Sequence, residues 1–373
     1  MLIFLIMLFT TEPLLINLSV LFNKPTGIAT YALNICQQLQ SLNPILLTAN
    51  PNLDLPCYAI PHDMTPAEGS KGHLKRLLWT QWQLPQIYRE LNSSLIYSPI
   101  PEAPLYSKCR YIVMCHDLIP LRFPRQFSPL TNYFRYVVPQ VLQQAEHIVC
   151  NSQATAKDIV NYYAIKAQKI TAIPLAYDAN CFCPQSLPKN NGLKIKKPYF
   201  LYLGRHDPYK NIGRLIAAFA EIKNNRDYYL YLAGSTDSRF TPLLQQQIAE
   251  LNLTSQIKFL DYISYQELPI LLSNALALVF PTLWEGFGLP VLEAMACGTP
   301  VITSNLASLP EITGEAAILL DPYNVTEIAN AMQEISDNEK MRSHLSKLSL
   351  ARAKLFSWSK TGLQTKAVLE QFM

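Results

Sequence analysis

Two glutamates eight positions apart flank a glycine turn in the segment F-P-T-L-W-E-G-F-G-L-P-V-L-E-A-M-A-C-G-T-P, residues 280–300. They are Glu285 and Glu293. A carboxylate accepts two hydrogen bonds at once and so suits the hydroxyls of a sugar or a ribose. Spacing alone recurs by chance. Taken by itself, the segment also fits an ordinary strand-to-helix connection with a solvated Glu285 and a capping Glu293.

A buried strand, a glycine turn and a helix are predicted to carry these carboxyl groups. The apolar run 275–280 is typical of a strand, Gly286 and Gly288 interrupt it, and the proline that follows suits a first helical turn. The amides of residues 287–289 then lie at a positive helix end, where phosphate or sugar oxygens can accept from them. Glu293 is expected about one turn inside the helix.

A second strand and loop upstream supply two cations. The apolar run 199–203 predicts a strand, the loop G-R-H-D-P-Y-K-N follows it at 204–211, and an amphipathic helix is expected at 212–222. The planar guanidinium of Arg205 and the ammonium of Lys210 suit a diphosphate. Taken alone, such residues are more often solvent-facing loop charges.

The N-terminal half offers two further candidate loops. His116 and Asp117 follow the predicted strand 111–114, at the carboxyl end where ligands collect in open parallel sheets. A lone histidine there is more often structural. Gly27 lies in P-T-G-I-A-T-Y after a first predicted strand, 14–21, and most such loops are plain turns.

Length and composition indicate two folded domains. The chain has 373 residues, of which 49% are apolar and 16% charged, enough to bury two cores. Strand-like runs alternate with helical patterns, which predicts an α/β protein with parallel sheets covered by helices. The segment 180–197 is rich in proline, asparagine and lysine and is the expected break between the halves. The G-x-G-x-x-G pattern of dinucleotide-binding proteins is absent from the sequence.

Three motifs in order resemble the retaining glycosyltransferases of family 4, also called glycosyl transferases group 1. They are G-R-x4-K-N at 204–211, E-G-F-G-L-P-V-L-E at 285–293 and A-C-G-T-P-V-I-T-S at 296–304. The resemblance implies the GT-B architecture, in which two Rossmann-like, doubly wound domains face each other across a cleft.

On this basis residues 1–180 form an acceptor-binding domain and 181–355 a domain for the nucleotide sugar. Residues 356–373 form a helix that returns to the first domain.

The resemblance also implies roles for individual residues. Arg205 and Lys210 hold the donor diphosphate, Glu293 the ribose, and Glu285 the donor sugar together with backbone amides. His116 faces the sugar. The implied catalytic set is His116, Arg205, Lys210 and Glu285, and the donor-binding set is Gly27, Asp117, Gly204, Arg205, Lys210, Glu285, Gly286, Phe287, Gly288, Leu289 and Glu293.

The implied reaction is transfer of a hexose with retention of anomeric configuration. The motif H-D-L-I-P-x-x-x-P, which begins at His116, resembles the mannosyltransferase-like members and favours GDP-mannose over UDP-sugars as donor. The acceptor is a glycan or lipid-linked glycan of cell-surface polysaccharide synthesis. We expect no metal, since no Asp-x-Asp motif accompanies the site, and no cofactor beyond the donor. A non-catalytic nucleotide-sugar-binding subunit and a GT-B epimerase remain open.

The rest of the sequence bears on partners and location. A net charge of +4 without a basic cluster argues against nucleic-acid binding. The segment 73–85 joins two cations to leucine and tryptophan and fits peripheral contact with an anionic membrane, although a core-facing helix with solvated cations is the simpler interpretation. Eight cysteines without metal-binding spacing indicate reduced thiols in a cytoplasmic protein. Peripheral contact through the segment 73–85 would place the protein at the inner face of the plasma membrane. Residues 1–9 are interpreted as an extension ahead of the first strand.

Overall fold

The structure, a computed structural model, describes residues 12–21, 27–50, 52–65, 68–186, 197–260 and 263–373. It divides into two compact units: unit 1 comprises residues 1–175 with 358–373, and unit 2 comprises 176–357. The interpretation of residues 1–9 falls outside the described residues, as does most of the expected break at 180–197.

Unit 1 contains a parallel seven-stranded sheet. Its spatial order is β3-β2-β1-β4-β5-β6-β7, so the order along the sheet reverses between β1 and β4. Its strands are β1 Leu14–Asn17, β2 Ile45–Thr48, β3 Cys57–Ala59, β4 Leu95–Ser98, β5 Tyr111–Cys115, β6 His147–Cys150 and β7 Ile170–Ala172. Its helices are α1 Gly27–Gln38, α2 Gly69–Trp82, α3 Leu84–Glu90, α4 Ile119–Arg122, α5 Pro129–Tyr136, α6 Val138–Gln144, α7 Gln153–Tyr163 and α15 Trp358–Glu370.

The last helix of the chain packs on the first. A Cβ atom on Gly362 of α15 would lie 2.2 Å from Cβ of Gln38 in α1, so only glycine allows this approach. The hydroxyl of Thr361 donates to the carbonyl of Pro174 at 2.8 Å. These contacts explain why residues 358–373 belong to unit 1 although unit 2 precedes them in sequence.

Unit 2 contains a parallel six-stranded sheet in the order β10-β9-β8-β11-β12-β13, reversing between β8 and β11. Its strands are β8 Tyr199–Leu203, β9 Tyr229–Ala233, β10 Ile257–Leu260, β11 Ala277–Phe280, β12 Val301–Ser304 and β13 Ile318–Leu320. Its helices are α8 Ile212–Glu221, α9 Thr241–Glu250, α10 Leu268–Ser273, α11 Leu289–Ala296, α12 Leu309–Thr313, α13 Val325–Asp337 and α14 Glu339–Ala353.

These two sheets confirm the predicted α/β class. Each has the strand order of a doubly wound, Rossmann-like fold, in which ligands bind outside the carboxyl ends of the strands where the order reverses. Both sheets have central strands buried along their whole length, as expected when helices cover a parallel sheet.

Two local expectations differ from the structure. The first strand ends at Asn17, not at residue 21, because the Asn17 side chain accepts from the Ser19 amide and starts a turn. In the segment 73–85, Arg76 is not a solvated cation. Its guanidinium is buried and forms a bidentate ion pair with Glu102, with Nε–Oε2 and Nη2–Oε1 distances of 2.6 and 2.7 Å.

Candidate functional site

The strand reversal in unit 2 brings two predicted binding loops to one edge of the sheet. Strands β8 and β11 pair in parallel, so the loops that follow them leave from the same edge. The Leu283 amide donates to the Tyr209 carbonyl at 2.8 Å and ties the second loop to the first. The cation loop, residues 204–211, and the glutamate loop, residues 281–288, are far apart in sequence and therefore form one surface only through this strand pairing.

Lys210 and Glu285 form a buried ion pair at the centre of this surface. Lysine Nζ lies 2.6 Å from Oε1 of Glu285, and the two side chains are only 12% and 10% exposed. Burial tends to lower the pKa of Lys210, but the Glu285 carboxylate outweighs it and raises that pKa above its ordinary value. The ammonium also lies over the rings of Tyr209 and Phe280, at 5.3 and 5.4 Å from their centroids.

Arg205 lies at the open side of the same loop. Its side chain is 68% exposed, and Nη2 lies 3.0 Å from Oδ2 of the buried Asp207 and 3.5 Å from the Tyr209 hydroxyl. Asp207 thus contacts one edge of the guanidinium, while the side chain as a whole stays open to solvent, where a planar guanidinium suits a diphosphate.

The glutamate loop ends in the glycine that the sequence pattern singled out. Gly288 caps α11 with φ of +108°, a conformation that other residues rarely adopt. Helix α11 begins at Leu289 with a proline in its first turn, as predicted. The amides of residues 287–289 therefore lie at a helix start, where intrahelical acceptors are lacking and anions or hydroxyl oxygens can accept.

Gly204 makes a second close backbone approach at this sheet edge. With φ of +154°, it follows β8, and its carbonyl oxygen lies where a Cβ atom on Gly234 would stand, at 2.1 Å. Its amide donates to the Ala233 carbonyl at 2.9 Å. The two glycines allow the loops after β8 and β9 to run side by side.

Two polar residues outside the predicted set fix the two loops. The buried Ser308 hydroxyl lies 3.0 Å from the carbonyl oxygen of Glu285 and 2.6 Å from that of Phe287. The buried Asn211 side chain donates to the Pro281 carbonyl at 2.9 Å and the Pro322 carbonyl at 2.7 Å. Both therefore hold main chain, not ligand.

The roles of Asn211 and Ser308 were not predicted from the sequence, for different reasons. Asn211 lies inside the motif G-R-x4-K-N, and asparagine is a usable sequence signal there because it adopts the left-handed conformation found at the start of α8 more readily than most residues. Ser308 carries no such signal, because its two carbonyl partners lie more than twenty positions away. Asp207 lies in the same motif without a predicted role of its own, and it is the ion-pair partner of Arg205.

Glu293 lies inside α11 in different surroundings from Glu285. Burial raises the pKa of Glu293 to about 8, and no nearby cation opposes this effect among the described residues. Burial is the main cause of the raised pKa values of Cys181, Tyr265 and Cys297, and the Glu293 carboxylate adds to each of them, which places it near those three groups. The acid is protonated below about pH 8 and can donate one hydrogen bond as well as accept.

In unit 1, His116 follows β5 and is partly buried. Its Nε2 atom lies 2.9 Å from the Pro99 carbonyl oxygen, and burial lowers the pKa of the imidazole to about 4. The neighbouring Asp117 accepts from the Ile119 amide at 3.0 Å, which fixes the turn into α4. Gly27 is the first residue of α1, and the loop before it lies outside the described residues.

The described residues contain neither a membrane-spanning helix nor a cluster of metal ligands. Helices in the described part of the chain are all too short or too polar to cross a membrane. The same part contains no cluster of three or more metal-ligating side chains.

Comparison with known proteins identifies the class that the fold and the motifs indicate. Residues 25–180 match the family model Glycosyltransferase Family 4, and residues 185–350 match Glycosyl transferases group 1. The chain belongs to this family of glycosyltransferases and is mannosyltransferase-like.

Two relatives of this chain are O-antigen chain mannosyltransferases. The chain is 31% identical over 266 residues to O-antigen chain mannosyltransferase B of Escherichia coli, covering 69% of each chain. It is 31% identical over 228 residues to O-antigen chain mannosyltransferase RfbU of Salmonella typhimurium, covering 60% of each.

Solved structures confirm the GT-B fold. The Anabaena protein Alr3699/HepE, in complex with UDP-glucose, superposes with a TM-score of 0.76 at 18% identity over 97% of this chain and 100% of that one. The lipopolysaccharide glycosyltransferase WaaG superposes with a TM-score of 0.70 at 13% identity, over 95% and 99%. These likenesses concern the fold.

Proposed function

We propose that this chain transfers a hexose, with mannose as the first candidate, from a nucleoside diphosphate sugar to a glycan or lipid-linked glycan acceptor. GDP-mannose is the favoured donor and UDP-sugars the next. The mannosyltransferase relatives support this choice, and cell-surface polysaccharide synthesis is the process we assign. The observation that carries the proposal is the Lys210–Glu285 pair beside Arg205 at the strand reversal of unit 2.

The cations act on the leaving group. As the bond between the anomeric carbon and the phosphate oxygen breaks, that oxygen gains negative charge, which Arg205, Lys210 and the amides at the start of α11 stabilise. No metal and no further cofactor is required in this proposal. Fixed donors of this kind need no reorganisation during the reaction and contribute most where water is excluded.

The two glutamates hold hydroxyls at the two ends of the donor. Glu285 orients the sugar while its other oxygen stays paired with Lys210, and Glu293 binds the ribose. The acceptor oxygen bonds to the anomeric carbon on the face that the phosphate leaves, so the configuration is retained. Its proton passes to the leaving phosphate oxygen, which balances the charge without a separate base.

Ligand binding is the first test. A thermal-shift panel of GDP, UDP, ADP and their sugars should raise the melting temperature most for GDP and GDP-mannose, because a ligand that binds only the native state stabilises it. Transfer or donor hydrolysis would then separate an enzyme from a non-catalytic binding subunit. Absence of any shift with the whole panel would contradict the proposal.

Substitution of the charged residues is the second test. Arg205→Ala, Lys210→Ala and Glu285→Ala should each slow transfer by on the order of 100-fold or more, since each removes charge stabilisation or sugar orientation. Lys258→Ala changes an exposed lysine on β10 and serves as control. Wild-type turnover in any of the three variants removes that residue from the mechanism.

We also propose peripheral contact of α2 with an anionic membrane. Leu74, Leu78 and Trp82 recur every fourth position on one face and are 58%, 52% and 71% exposed. Lys71 shares that face, as does Lys75, whose ammonium is in an exposed ion pair with Asp63. Arg76 takes no part, because it is buried against Glu102.

Vesicle sedimentation tests this contact. The wild type should pellet with vesicles that contain anionic lipid, and Trp82→Ser should pellet several-fold less. Leu363→Ser serves as control because it removes an equally exposed apolar side chain from α15. Equal pelleting of all three proteins, or none, contradicts the contact.

A further inference from the structure

The ring of Tyr31, the last residue of the motif P-T-G-I-A-T-Y, packs against His116. Their ring centroids lie 5.1 Å apart with planes at 84°, a T-shaped contact. Tyr31 is almost fully buried in α1 and its hydroxyl is hydrogen-bonded to that of Tyr97 on β4. Helix α15 adds the ring of Trp358, whose centroid lies 6.3 Å from that of the Tyr31 ring. Tyr31 is therefore fixed from three sides.

His116 is held at its other end by a group that can only accept. A carbonyl oxygen has no proton to donate, so the contact between Nε2 of His116 and the Pro99 carbonyl requires the proton to be on Nε2. In the neutral ring, Nδ1 then carries a lone pair. Main chain and packing thus select one tautomer of the imidazole.

We propose that Tyr31 is a positioning residue that keeps His116 neutral, with Nε2–H bonded to Pro99 and Nδ1 available to accept a hydrogen bond from a substrate hydroxyl. This inference rests on the proposed transferase function for its substrate, but the state of His116 can be measured without it. In this arrangement His116 orients a hydroxyl group and supplies no positive charge during the reaction.

The groups that face His116 fit a neutral ring. His116 is faced by the titratable Tyr31 ring of α1 and by the Pro99 carbonyl of the loop after β4. From α7, the Thr155 hydroxyl donates to the His116 carbonyl at 3.4 Å. Asp117, the adjacent charged residue, accepts from the Ile119 amide. Burial is the main cause of the lowered pKa of His116, and the Pro99 carbonyl opposes it. An aromatic ring that excludes water from His116 therefore sets its charge.

The direct test is long-range proton–nitrogen NMR of the full chain with labelled histidine. The sequence has six histidines, and His116→Gln identifies the signal. The wild type should show the Nε2–H tautomer and stay neutral down to a pH of about 4. Tyr31→Leu should raise the pKa of His116 towards 6.5, the ordinary value, by admitting water, while Tyr31→Phe keeps the ring and the low pKa.

A matched contact in unit 1 provides the control. Tyr133 packs on His73 with centroids 5.2 Å apart and the same 84° angle. Tyr133→Leu should change the titration of His73 and leave that of His116 as it is. If Tyr31→Leu does not fold, Tyr31→Met takes its place, and the wild-type tautomer is measurable in either case.

Activity gives a second readout. If the His116 pKa reaches about 6.5 in Tyr31→Leu, about a tenth of the ring is neutral at pH 5.5, so kcat/KM should fall about tenfold between pH 7.5 and 5.5. The wild type and Tyr31→Phe should lack this step. A proton on Nδ1 in the wild type, or an unchanged His116 titration in the Tyr31 variant, overturns the inference. If the NMR result is as expected but the protein transfers no sugar, the proposed function is contradicted and the inference about His116 stands.

Discussion

The Lys210–Glu285 pair and the partly buried Glu293 lie in two regions of unit 2 with opposite electrostatics. Glu285 has the Lys210 ammonium at 2.6 Å, and this carboxylate raises the pKa of Lys210 against the lowering effect of burial. Glu293 has no such partner among the described residues, and burial raises its own pKa to about 8. The same residue type, eight positions apart, is thus an ion-paired acceptor in one place and a protonated donor in the other. The spacing of the two glutamates therefore does not decide their protonation states. A nearby cation and the degree of exposure to water decide them.

The largest effect is expected from breaking the ion pair. Because Lys210 and Glu285 act as a unit, Lys210→Ala with Glu285→Ala should lose little more activity than either single variant, which loses on the order of 100-fold in kcat/KM. A double-mutant cycle on kcat/KM measures this coupling. Losses that multiply would show that the two groups act independently.

Substitution of each glutamate by glutamine distinguishes the two positions most directly. Glu285→Gln removes the charge that Lys210 requires and should be as harmful as alanine. Glu293→Gln imitates a protonated acid, so the loss in kcat/KM at pH 6 should stay below about tenfold, while Glu293→Leu loses more. Equal sensitivity of both positions to glutamine would abolish the contrast.

The stability of Glu293→Gln sharpens the comparison further. The ordinary pKa of glutamate is 4.5 and the folded value is about 8, so between these values the folded state holds a proton that the unfolded state has lost. Stability from this group therefore falls as pH rises from 4.5 to 8. Glutamine cannot ionise, and Glu293→Gln should gain at least about 1 kcal/mol at pH 8 and little at pH 4.5. Urea unfolding at both pH values measures it.

Removing the Ser308 hydroxyl, which holds the main chain of the glutamate loop, should reduce kcat/KM less than these substitutions do. Ser308→Ala leaves the Glu285 and Phe287 carbonyls without their hydroxyl donor and should cost about 1–2 kcal/mol of stability and reduce kcat/KM several-fold. Ser349→Ala is the matched control, because that buried hydroxyl also bonds a carbonyl, that of Ala316, and belongs to another part of unit 2. It should cost similar stability without loss of activity.

The smallest effect on stability is expected at Arg205. The pair with Asp207 joins a 68% exposed arginine to a buried carboxylate, so water screens the arginine side of the pair, and Arg205→Gln should cost about 1 kcal/mol or less. Lys210→Gln leaves Glu285 buried without its cation and should cost about 3 kcal/mol. Similar costs for the two would mean that burial does not distinguish these pairs.

Strands and glycine turns were predictable because they depend on local sequence. The strand at 199–203 has the predicted bounds, and α11 begins directly after Gly288. Apolar runs of five residues, glycine interruptions and a proline after the turn are enough for this, since each acts through its own backbone conformation.

Partners distant in sequence were not predictable. The 73–85 segment was expected to present two cations, yet Arg76 is buried by Glu102, which lies 26 positions further on. Likewise, nothing near Glu293 in sequence indicates that it lacks a cation, while Glu285 meets one 75 positions away. Such pairings depend on which loops the strand order brings to one edge, and a single sequence does not reveal that order.

The contact between Gly362 and Gln38 has a consequence for synthesis. Unit 2 is continuous in sequence, but unit 1 is completed only by α15, which follows unit 2. A ribosome therefore releases all of unit 2 before unit 1 can close, and the side of α1 that α15 covers must wait for residues 358–373. Truncation just before Trp358 should accordingly damage unit 1, although the missing residues are made after unit 2.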